Sequence, residues 1–333
     1  MLAGHIHAPG KIDLIEVPEP RLEPRPPGDN GPGDIIFEVE LACLCGSDLL
    51  FFEADYPEYP VVVGHSLHEM TGTVVDTNGR RFKSGDRVLC VPLNQEGLYE
   101  RFRVSEERAI PLDPRPPEDQ ALLAQPLGTV IYALKKIPHL IDIDVAVVGQ
   151  GPIGQLFNAA LSNLGARRII GIDLLESRLK TSPRMGANEI VDASREDPVE
   201  AVRRITGGAM ADLVIEAVGH RDQCMNLCAN LCRRDGRILY FGVPTETLDC
   251  VRWRDVMMKN ITVHTSINPD FSRDFPLAMR WIAEGRIDVS PIVTHRYPLA
   301  EIQTAFETFQ HRKDGALKVF LDFPAGEKRR PQR

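Results

Sequence analysis

A glycine-rich turn between a strand and a helix constrains the fold of this chain more than any other feature. Residues Asp144–Val148 have the composition of a buried strand, and the apolar run that ends at Leu164 has that of a helix. Between them lie Gly149, Gly151 and Gly154. In such a unit the glycines permit a tight turn, a close approach of the backbone to a pyrophosphate, and close packing of helix on strand. The helix N-terminus then faces the phosphates, so the pattern predicts a dinucleotide site.

An acidic residue ends the next predicted strand, Arg168–Asp173. A carboxylate at this place in a dinucleotide-binding unit accepts hydrogen bonds from the adenosine ribose. The same carboxylate repels a 2′-phosphate. Asp173 therefore favours NAD over NADP as the nucleotide.

The turn lies in the middle of the chain, so a separate domain is expected before it. With 333 residues, of which 43% are apolar and 26% charged, the chain is long enough for two globular cores. Residues 1–120 contain short β-type runs, whereas the chain from residue 121 onward alternates helices and strands. The sequence predicts an α/β protein with a β-rich first domain and a parallel, doubly wound sheet.

Charge and hydropathy argue against several classes of partner. The net charge of −8 gives no support for nucleic acid or an anionic membrane as the main partner. The sequence has neither a signal-peptide pattern nor an apolar run of transmembrane length, so we expect a cytoplasmic protein. Residues 326–333 are basic and are expected to form a flexible tail.

The seven cysteines are odd in number and unevenly spaced, so they do not indicate a disulfide framework. Cys224, Cys228 and Cys232 repeat every four residues within a predicted helix over residues 222–234. That spacing would suit a metal site, but it also describes a helix face of small apolar residues packed on a sheet. We favour the packing interpretation.

Two short segments of the first domain concentrate metal-binding side chains. Cys45 lies in the first segment, and His65, His68 and Glu69 lie in the second. A thiolate, an imidazole and a carboxylate are ligand types that zinc prefers in proteins. The sequence therefore predicts a metal site formed by these two segments.

These segments resemble the zinc-dependent medium-chain dehydrogenase/reductase family, whose members include alcohol, sorbitol and threonine dehydrogenases. Cys45-Gly-Ser-Asp48 looks like the family's Cys-Gly-[Ser/Thr]-Asp element, and His68-Glu69-Met-Thr-Gly72 is similar to its Gly-His-Glu-x-x-Gly element. Similarity elsewhere extends the resemblance over nearly the whole chain. It implies a GroES-like catalytic domain over residues 1–120, completed by 272–325, and a Rossmann NAD-binding domain over residues 121–271.

The resemblance implies a role for each residue of the site. Cys45 and His68 would bind a catalytic zinc, and Glu69 would be a close or alternate ligand. Ser47 would relay the substrate proton. The catalytic set is thus Cys45, Ser47, His68 and Glu69.

The identity of the histidine ligand stays open at this stage. The run from Pro60 to His65 also matches the leading half of the histidine element, and extra residues separate it from Glu69. Either His65 or His68 is therefore a candidate ligand. Spaced three residues apart on a helical turn, the two could also face one metal together.

Three departures from the family pattern bear on the metal. Gln125 stands where the family has a Glu or Cys that completes the zinc shell, and its neutral amide predicts weaker zinc binding. Leu50 stands where many members have a histidine that passes the proton to solvent. Only Cys90 lies near the place of the four-cysteine lobe, so we expect one catalytic zinc and no structural zinc.

The resemblance also assigns residues to the cofactor. Val218 and Gly242 follow strands that line its adenosine and ribose, Ser266 lies where the backbone meets the nicotinamide, and Lys318 is assigned to the pyrophosphate. The full predicted set is Gly149, Gly151, Pro152, Ile153, Gly154, Asp173, Arg178, Val218, Gly242, Ser266 and Lys318.

The expected activity is hydride transfer between NAD(H) and a secondary alcohol or polyol, or the matching ketone, with zinc as Lewis acid. A metal-independent NAD(P)H reductase on the same fold is one alternative, and an NAD-binding protein without turnover is another. The substrate is expected to be a small molecule. Family members pair through an edge strand, here around residues 261–266, so a homodimer or homotetramer is expected.

Overall fold

The computed structural model describes residues 1–53, 59–219 and 223–329, without the side chain of Gln223. The chain divides into two compact units. The first comprises Met1–Gln125 and Val293–Arg333, and the second comprises Pro126–Ile292. One unit is therefore built from both ends of the chain, and the other from its middle.

The regular elements are listed here in chain order. The strands are β1 (Leu2–Ala8), β2 (Lys11–Glu16), β3 (Asp34–Cys43), β4 (Glu69–Thr77), β5 (Arg87–Cys90), β6 (Arg101–Ser105), β7 (Ala109–Pro111), β8 (Asp144–Val148), β9 (Arg168–Asp173), β10 (Glu189–Asp192), β11 (Ala211–Glu216), β12 (Cys232–Tyr240), β13 (Thr262–Thr265), β14 (Val293–Pro298) and β15 (Lys318–Asp322). The helices are α1 (Gly46–Phe52), α2 (Glu118–Leu122), α3 (Ala124–Leu134), α4 (Pro152–Leu164), α5 (Glu176–Leu179), α6 (Pro198–Ile205), α7 (Gln223–Leu231), α8 (Trp253–Met258), α9 (Phe271–Ala283), α10 (Ile302–Gln310) and α11 (Pro324–Arg329).

The first unit is a largely antiparallel sheet in the order β14-β15-β3-β4-β5-β7, with β6 also paired to β3. Alternate residues of β3 are apolar and face one core. Phe37 is buried in this core, which also contains Phe52 and Phe306. In the pairing of β3 with β4, Cys43 at the end of β3 lies opposite Glu69 at the start of β4. This register brings the segment after β3 next to the segment before β4.

The second unit contains a parallel sheet in the order β10-β9-β8-β11-β12-β13. The near-continuous apolar composition of β8 and β11 fits strands that are covered on both faces. β8 lies between β9 and β11, so the chain reverses its strand order there. Ligands of doubly wound sheets bind at such a switch point, and the glycine turn follows β8 at that place. The predicted fold class is confirmed.

The unit boundaries differ from the predicted domain boundaries. The chain leaves the first unit after residue 125 rather than 120, and it returns to that unit after residue 292 rather than 271. α9 therefore belongs to the second unit. It packs there because Phe275 fills the space above Gly128 and Asp274 forms an ion pair with Lys135.

Two local predictions also change. α7 ends at Leu231, so Cys232 starts β12 and does not share a helix face with Cys224 and Cys228. In the predicted flexible tail, residues 326–329 belong to α11, while residues 330–333 lie outside the described residues. Among the helices described, none combines the length and the apolar composition needed to span a bilayer.

Candidate active site

Three predicted ligands come together at the junction of β3, α1 and β4. Cys45 is the N-cap of α1, and His68 directly precedes β4. The ligand atoms of Cys45, His68 and Glu69 lie within 4.8 Å of one another. Among the described residues, these three form the one group of His, Cys, Asp or Glu side chains whose ligand atoms lie this close together. His65 is not part of the group.

The Cys45 thiol and the His68 ring interact directly. Burial alone would lower the pKa of His68, but its hydrogen bond to Cys45 and the nearby negative charges of Asp48 and Glu69 raise that pKa to about 9. The second ring nitrogen, Nδ1, is buried and has no hydrogen-bond partner within residues 1–53, 59–219 and 223–329. The sulfur and the two carboxylates therefore favour positive charge at the His68 ring.

The carboxylate of Glu69 is held from the opposite side by Lys318. Both side chains are 1% exposed, and the Lys318 ammonium contacts Glu69 Oε2 and also donates to the Leu44 carbonyl at 3.2 Å. Cys43 Sγ donates to the same carboxylate oxygen at 2.8 Å. Burial raises the pKa of the Cys43 thiol well above its usual range, and the charge of Glu69 adds to this effect. Glu69 is thus engaged on one oxygen by two donors.

Lys318 was expected at the cofactor pyrophosphate, and this expectation needs correction. β15 runs beside β3, so the side chain of its first residue enters the buried end of the first sheet. The ammonium is occupied there by Glu69 and Leu44. Its position fits neutralisation of a metal-site carboxylate.

His65 occupies a separate place on the same side of the unit. Its ring packs against Phe51, with ring centroids 3.9 Å apart. Phe51 lies one turn after Ser47 on α1, so His65 and Ser47 flank the same helix face. Burial lowers the pKa of His65, against the opposing charges of Glu96 and Asp48. Its buried Nε2 has no hydrogen-bond partner in the part of the chain that the structure describes.

Asp48 joins the two segments that carry the predicted metal ligands. Its side chain is 0% exposed and accepts the Cys45 amide at 2.7 Å, the Leu67 amide at 2.8 Å and the Ser66 hydroxyl at 2.8 Å. Ser66 and Leu67 adopt positive φ angles of 102° and 64°. The carboxylate thus stabilises the unusual turn that separates His65 from His68.

The residues present fit a zinc ion. Cys45 and His68 offer sulfur and nitrogen, and Glu69 offers an oxygen close by. Ser47 lies two residues after Cys45, and its buried Oγ has no hydrogen-bond partner among the described residues, which fits a role in binding a substrate hydroxyl. Gln125 is 6% exposed and carries no charge.

The second unit forms the nucleotide turn with the predicted geometry. Gly149 has a φ of 93°, a conformation that favours glycine. A side chain at Gly154 would overlap the Gly149 carbonyl oxygen. Pro152 and Ile153 begin α4 without acidic residues in its first turn, which leaves an N-terminus suited to phosphate.

Glu216 hydrogen-bonds the residues that follow two neighbouring strands, β11 and β12. Its carboxylate is 0% exposed and accepts the amides of Val218 at 2.9 Å and Gly242 at 3.0 Å. A Cβ atom on Gly149 would meet the Val218 side chain at 2.8 Å. Gly149, Val218 and Gly242 therefore lie at one edge of the sheet, and Ser266 follows β13, the outer strand next to β12.

Asp173 lies directly against the turn. Its Oδ2 accepts the Gln150 amide at 2.7 Å, its Oδ1 accepts the Leu175 amide at 2.9 Å, and Arg178 Nη1 lies 3.6 Å from Oδ2. The structure thus brings the predicted pair of Asp173 and Arg178 to the glycines.

Sequence reasoning missed the roles of Asp48, Glu216 and Gln150. Asp48 belongs to the Cys45 element, but two of its hydrogen-bond partners lie in the turn at Ser66 and Leu67, which the sequence pattern does not place beside it. The polar residues inside the apolar run of α4 could have indicated that this helix face contacts another buried polar side chain, which is Gln150.

Comparison with known proteins agrees with this geometry. Residues 31–109 match the family described as the alcohol dehydrogenase GroES-like domain, and residues 152–284 match the family described as zinc-binding dehydrogenase.

Individual relatives match over most of their length. The L-threonine 3-dehydrogenase of Bacillus licheniformis is 28% identical over 324 residues, which cover 86% of this chain and 91% of that relative. Human sorbitol dehydrogenase is 25% identical over 352 residues, which cover 95% of this chain and 94% of that relative. The structure of an alcohol dehydrogenase from Thermus sp. ATN1 matches with a TM-score of 0.85 at 27% identity, over 97% of this chain and 99% of that one.

Proposed function

The chain belongs to the zinc-type medium-chain dehydrogenases, and on that premise we propose that it transfers hydride between NAD(H) and a secondary alcohol of the polyol class, or the matching ketone. The observation that carries this proposal is the grouping of Cys45, His68 and Glu69, together with a Ser47 hydroxyl that has no partner among the described residues. Relatives named for threonine, sorbitol and D-xylulose support the alcohol class.

Each residue of the site has a separate task. Zinc, when bound at Cys45 and His68, supplies Lewis-acid chemistry that lowers the pKa of an alcohol, and NAD supplies the hydride acceptor. Ser47 hydrogen-bonds the substrate hydroxyl and relays its proton by passing its own hydroxyl proton on to solvent water. Asp48 holds Cys45 in place, and Lys318 balances the charge of Glu69, so the site is organised before substrate enters.

We propose NAD as the cofactor because of Asp173. Its carboxylate is fixed beside the turn by two backbone amides, and a carboxylate at this place in a dinucleotide-binding unit would repel a 2′-phosphate. Arg178 partly offsets that charge. Discrimination against NADP is therefore expected to be moderate.

We propose a homo-oligomer that pairs through the outer strand β13 and the adjoining α8. Trp253, Met257 and Met258 on α8 are 59%, 72% and 57% exposed, which makes an apolar surface. β13 has an unpaired side in the described sheet. Substitution Trp253→Glu should shift the mass measured by light scattering toward the monomer.

One experiment tests the activity and its metal together. The purified protein is assayed with NAD and sorbitol, L-threonine or D-arabitol phosphate, and in reverse with NADH and D-xylulose, while metal content is measured on the same samples. We expect about one zinc per chain, loss of turnover with a chelator and recovery with zinc. Ser47→Ala should retain the metal and lose turnover.

Two results would contradict the proposal. Full turnover at below about 0.2 metal equivalents per chain would identify a metal-independent reductase. Tight NADH binding without turnover of any of these substrates would identify a binding protein.

A further inference from the structure

A buried polar network lies beneath the glycine turn. Gln150, Gln155, Asn158 and Ser182 are each 0% exposed. Gln155 and Asn158 belong to α4, whose other buried residues are mainly apolar. Since a buried amide is costly unless it is hydrogen-bonded, apolar residues would pack this helix at lower cost.

The Gln150 side chain is the centre of the network. Its Oε1 accepts Asn158 Nδ2 at 2.7 Å and the Ser182 hydroxyl at 2.8 Å, and its Nε2 donates to the Val147 carbonyl at 3.0 Å. Gly171 on β9 leaves room for this amide, because a Cβ atom there would lie 2.8 Å from Gln150 Oε1. The backbone is thus shaped around the polar side chain.

Gln155 connects the turn to the segment that carries Arg178. Its Nε2 lies 3.1 Å from the Gln150 carbonyl, 3.0 Å from the Arg178 carbonyl and 3.1 Å from the Ser182 hydroxyl. Gln150 and Arg178 lie on different elements, before α4 and within α5. One side-chain amide therefore fixes the separation of two backbone carbonyls across the nucleotide site.

The Arg178 guanidinium lies over the turn itself. A Cβ atom on Gly151 would lie 3.7 Å from its Cζ and Nη1 atoms. Nη1 is also 3.6 Å from Asp173 Oδ2. This places a cation where the N-terminus of α4 receives phosphate oxygens.

We propose that Gln150, Gln155, Asn158 and Ser182 are positioning residues that hold Arg178 over the glycine turn, and that they thereby set the affinity for the diphosphate of the cofactor. The inference rests on the proposed use of a nicotinamide dinucleotide. It extends that function by assigning diphosphate affinity to side chains that do not touch the cofactor.

The test is a double-mutant cycle read by ligand binding. Dissociation constants for NADH, ADP-ribose and adenosine are measured for the wild type, Gln155→Leu, Arg178→Met and the double variant. Each single change should weaken NADH and ADP-ribose on the order of tenfold, because charge-assisted contacts to the diphosphate are lost. Adenosine, which lacks the diphosphate, should be weakened less than NADH and ADP-ribose, and the double variant should be no weaker than Arg178→Met, since coupled residues are non-additive.

A matched control and a milder variant separate positioning from stability. Gln303→Leu removes a cross-linking amide of the first unit, where Gln303 donates to Gly10 and accepts from Ile12. It should leave all three dissociation constants unchanged. Ser182→Ala, which keeps the helix packing, should reproduce a smaller loss for NADH and ADP-ribose with adenosine unaffected.

Three outcomes would overturn the inference. If Gln155→Leu and Ser182→Ala bind NADH as the wild type does, the network has no positioning role, although the proposed activity stands. The inference also fails if the losses of Gln155→Leu and Arg178→Met multiply in the double variant, because independent effects would then act. A wild-type protein that binds no NADH would overturn both this inference and the proposed function.

Discussion

Lys318 and Glu69 form an ion pair in which each side chain is 1% exposed. The two residues are 249 positions apart in sequence and meet at the end of the first sheet. The Lys318 ammonium balances the charge of Glu69, and Cys43 donates a hydrogen bond to the same carboxylate oxygen. The carboxylate nearest the proposed metal is thus part of the structure of the unit as well as of the site.

Breaking this pair from one side should be strongly destabilising. Lys318→Met leaves a buried carboxylate without a cation, which costs about 3–5 kcal/mol. The free energy of unfolding, measured with urea, should recover in part when Glu69→Gln is added. Lys313→Met, which removes an exposed partner of Glu307, should cost less than about 1 kcal/mol. Equal losses for the two lysine variants would argue against the pair.

The two candidate histidines should differ in metal binding. His68→Asn removes a ligand beside Cys45 and should lower zinc affinity by more than about a hundredfold, since loss of an outer partner already costs about 10- to 100-fold. His65→Asn should leave zinc affinity nearly unchanged, because His65 packs on Phe51 outside the grouping. Competition with a chromophoric chelator measures both. A comparable loss in His65→Asn would show that both rings bind the metal.

Asp48 should act on the metal without contacting it. Asp48→Asn weakens the hold on Cys45 and on the Ser66–Leu67 turn, so zinc affinity should fall by about 10- to 100-fold. Ser66→Ala removes one of the three donors and should cost about 1 kcal/mol of stability. Asp13→Asn, at an exposed position of β2, is the control for the change of charge. Unchanged zinc affinity in Asp48→Asn would contradict this role.

Glu106 should make stability depend on acid pH. Burial alone would raise its pKa, but the amides of Gly33, Arg80 and Arg81 donate to the carboxylate and lower that pKa in the folded state. A lowered folded pKa stabilises the protein above the unfolded value of about 4.3, and this contribution is lost as pH falls through the folded pKa.

Glu106→Gln should therefore lower the free energy of unfolding by about 1–3 kcal/mol at neutral pH. The difference from the wild type should shrink as pH falls below about 4. Urea midpoints measured across this range give the comparison, with the exposed Glu107→Gln as control. A difference that is constant with pH would exclude the carboxylate charge as its cause.

The choice of nucleotide should depend on Asp173. Asp173→Asn keeps the shape of the side chain but removes the charge, so affinity for NADPH should rise relative to NADH, on the order of tenfold. Fluorescence titration with both cofactors measures the ratio. An unchanged ratio would mean that the carboxylate does not face the 2′ position.

Local requirements were the most predictable from sequence. The glycines at 149, 151 and 154 follow from a turn that tolerates few other residues, and the structure confirms the strand, turn and helix at those positions. Long-range placement was less accessible. The family resemblance assigned Lys318 to the cofactor. Its position in the chain does not show that β15 lies beside β3, where its ammonium meets Glu69.

Boundaries and polar side chains within apolar runs were also poorly predicted. Cys232 continues the spacing of a helix face, yet the chain has already entered β12 at that residue. Gln155 and Asn158 are three residues apart on α4, a spacing that indicates a shared face. Their partners, which are Gln150 on the turn, Arg178 on α5 and Ser182, are brought to them only by the packing of the unit.

The first unit uses both ends of the chain, so the order of synthesis separates its parts in time. Glu69 leaves the ribosome 249 residues before Lys318, an interval of about 12 to 50 seconds at 5–20 residues per second. During that interval β3 lacks its neighbour β15, while the second unit is made as one continuous segment and can fold first. The nascent chain can thus form its nucleotide turn before the Glu69 carboxylate has the Lys318 ammonium as its counterion.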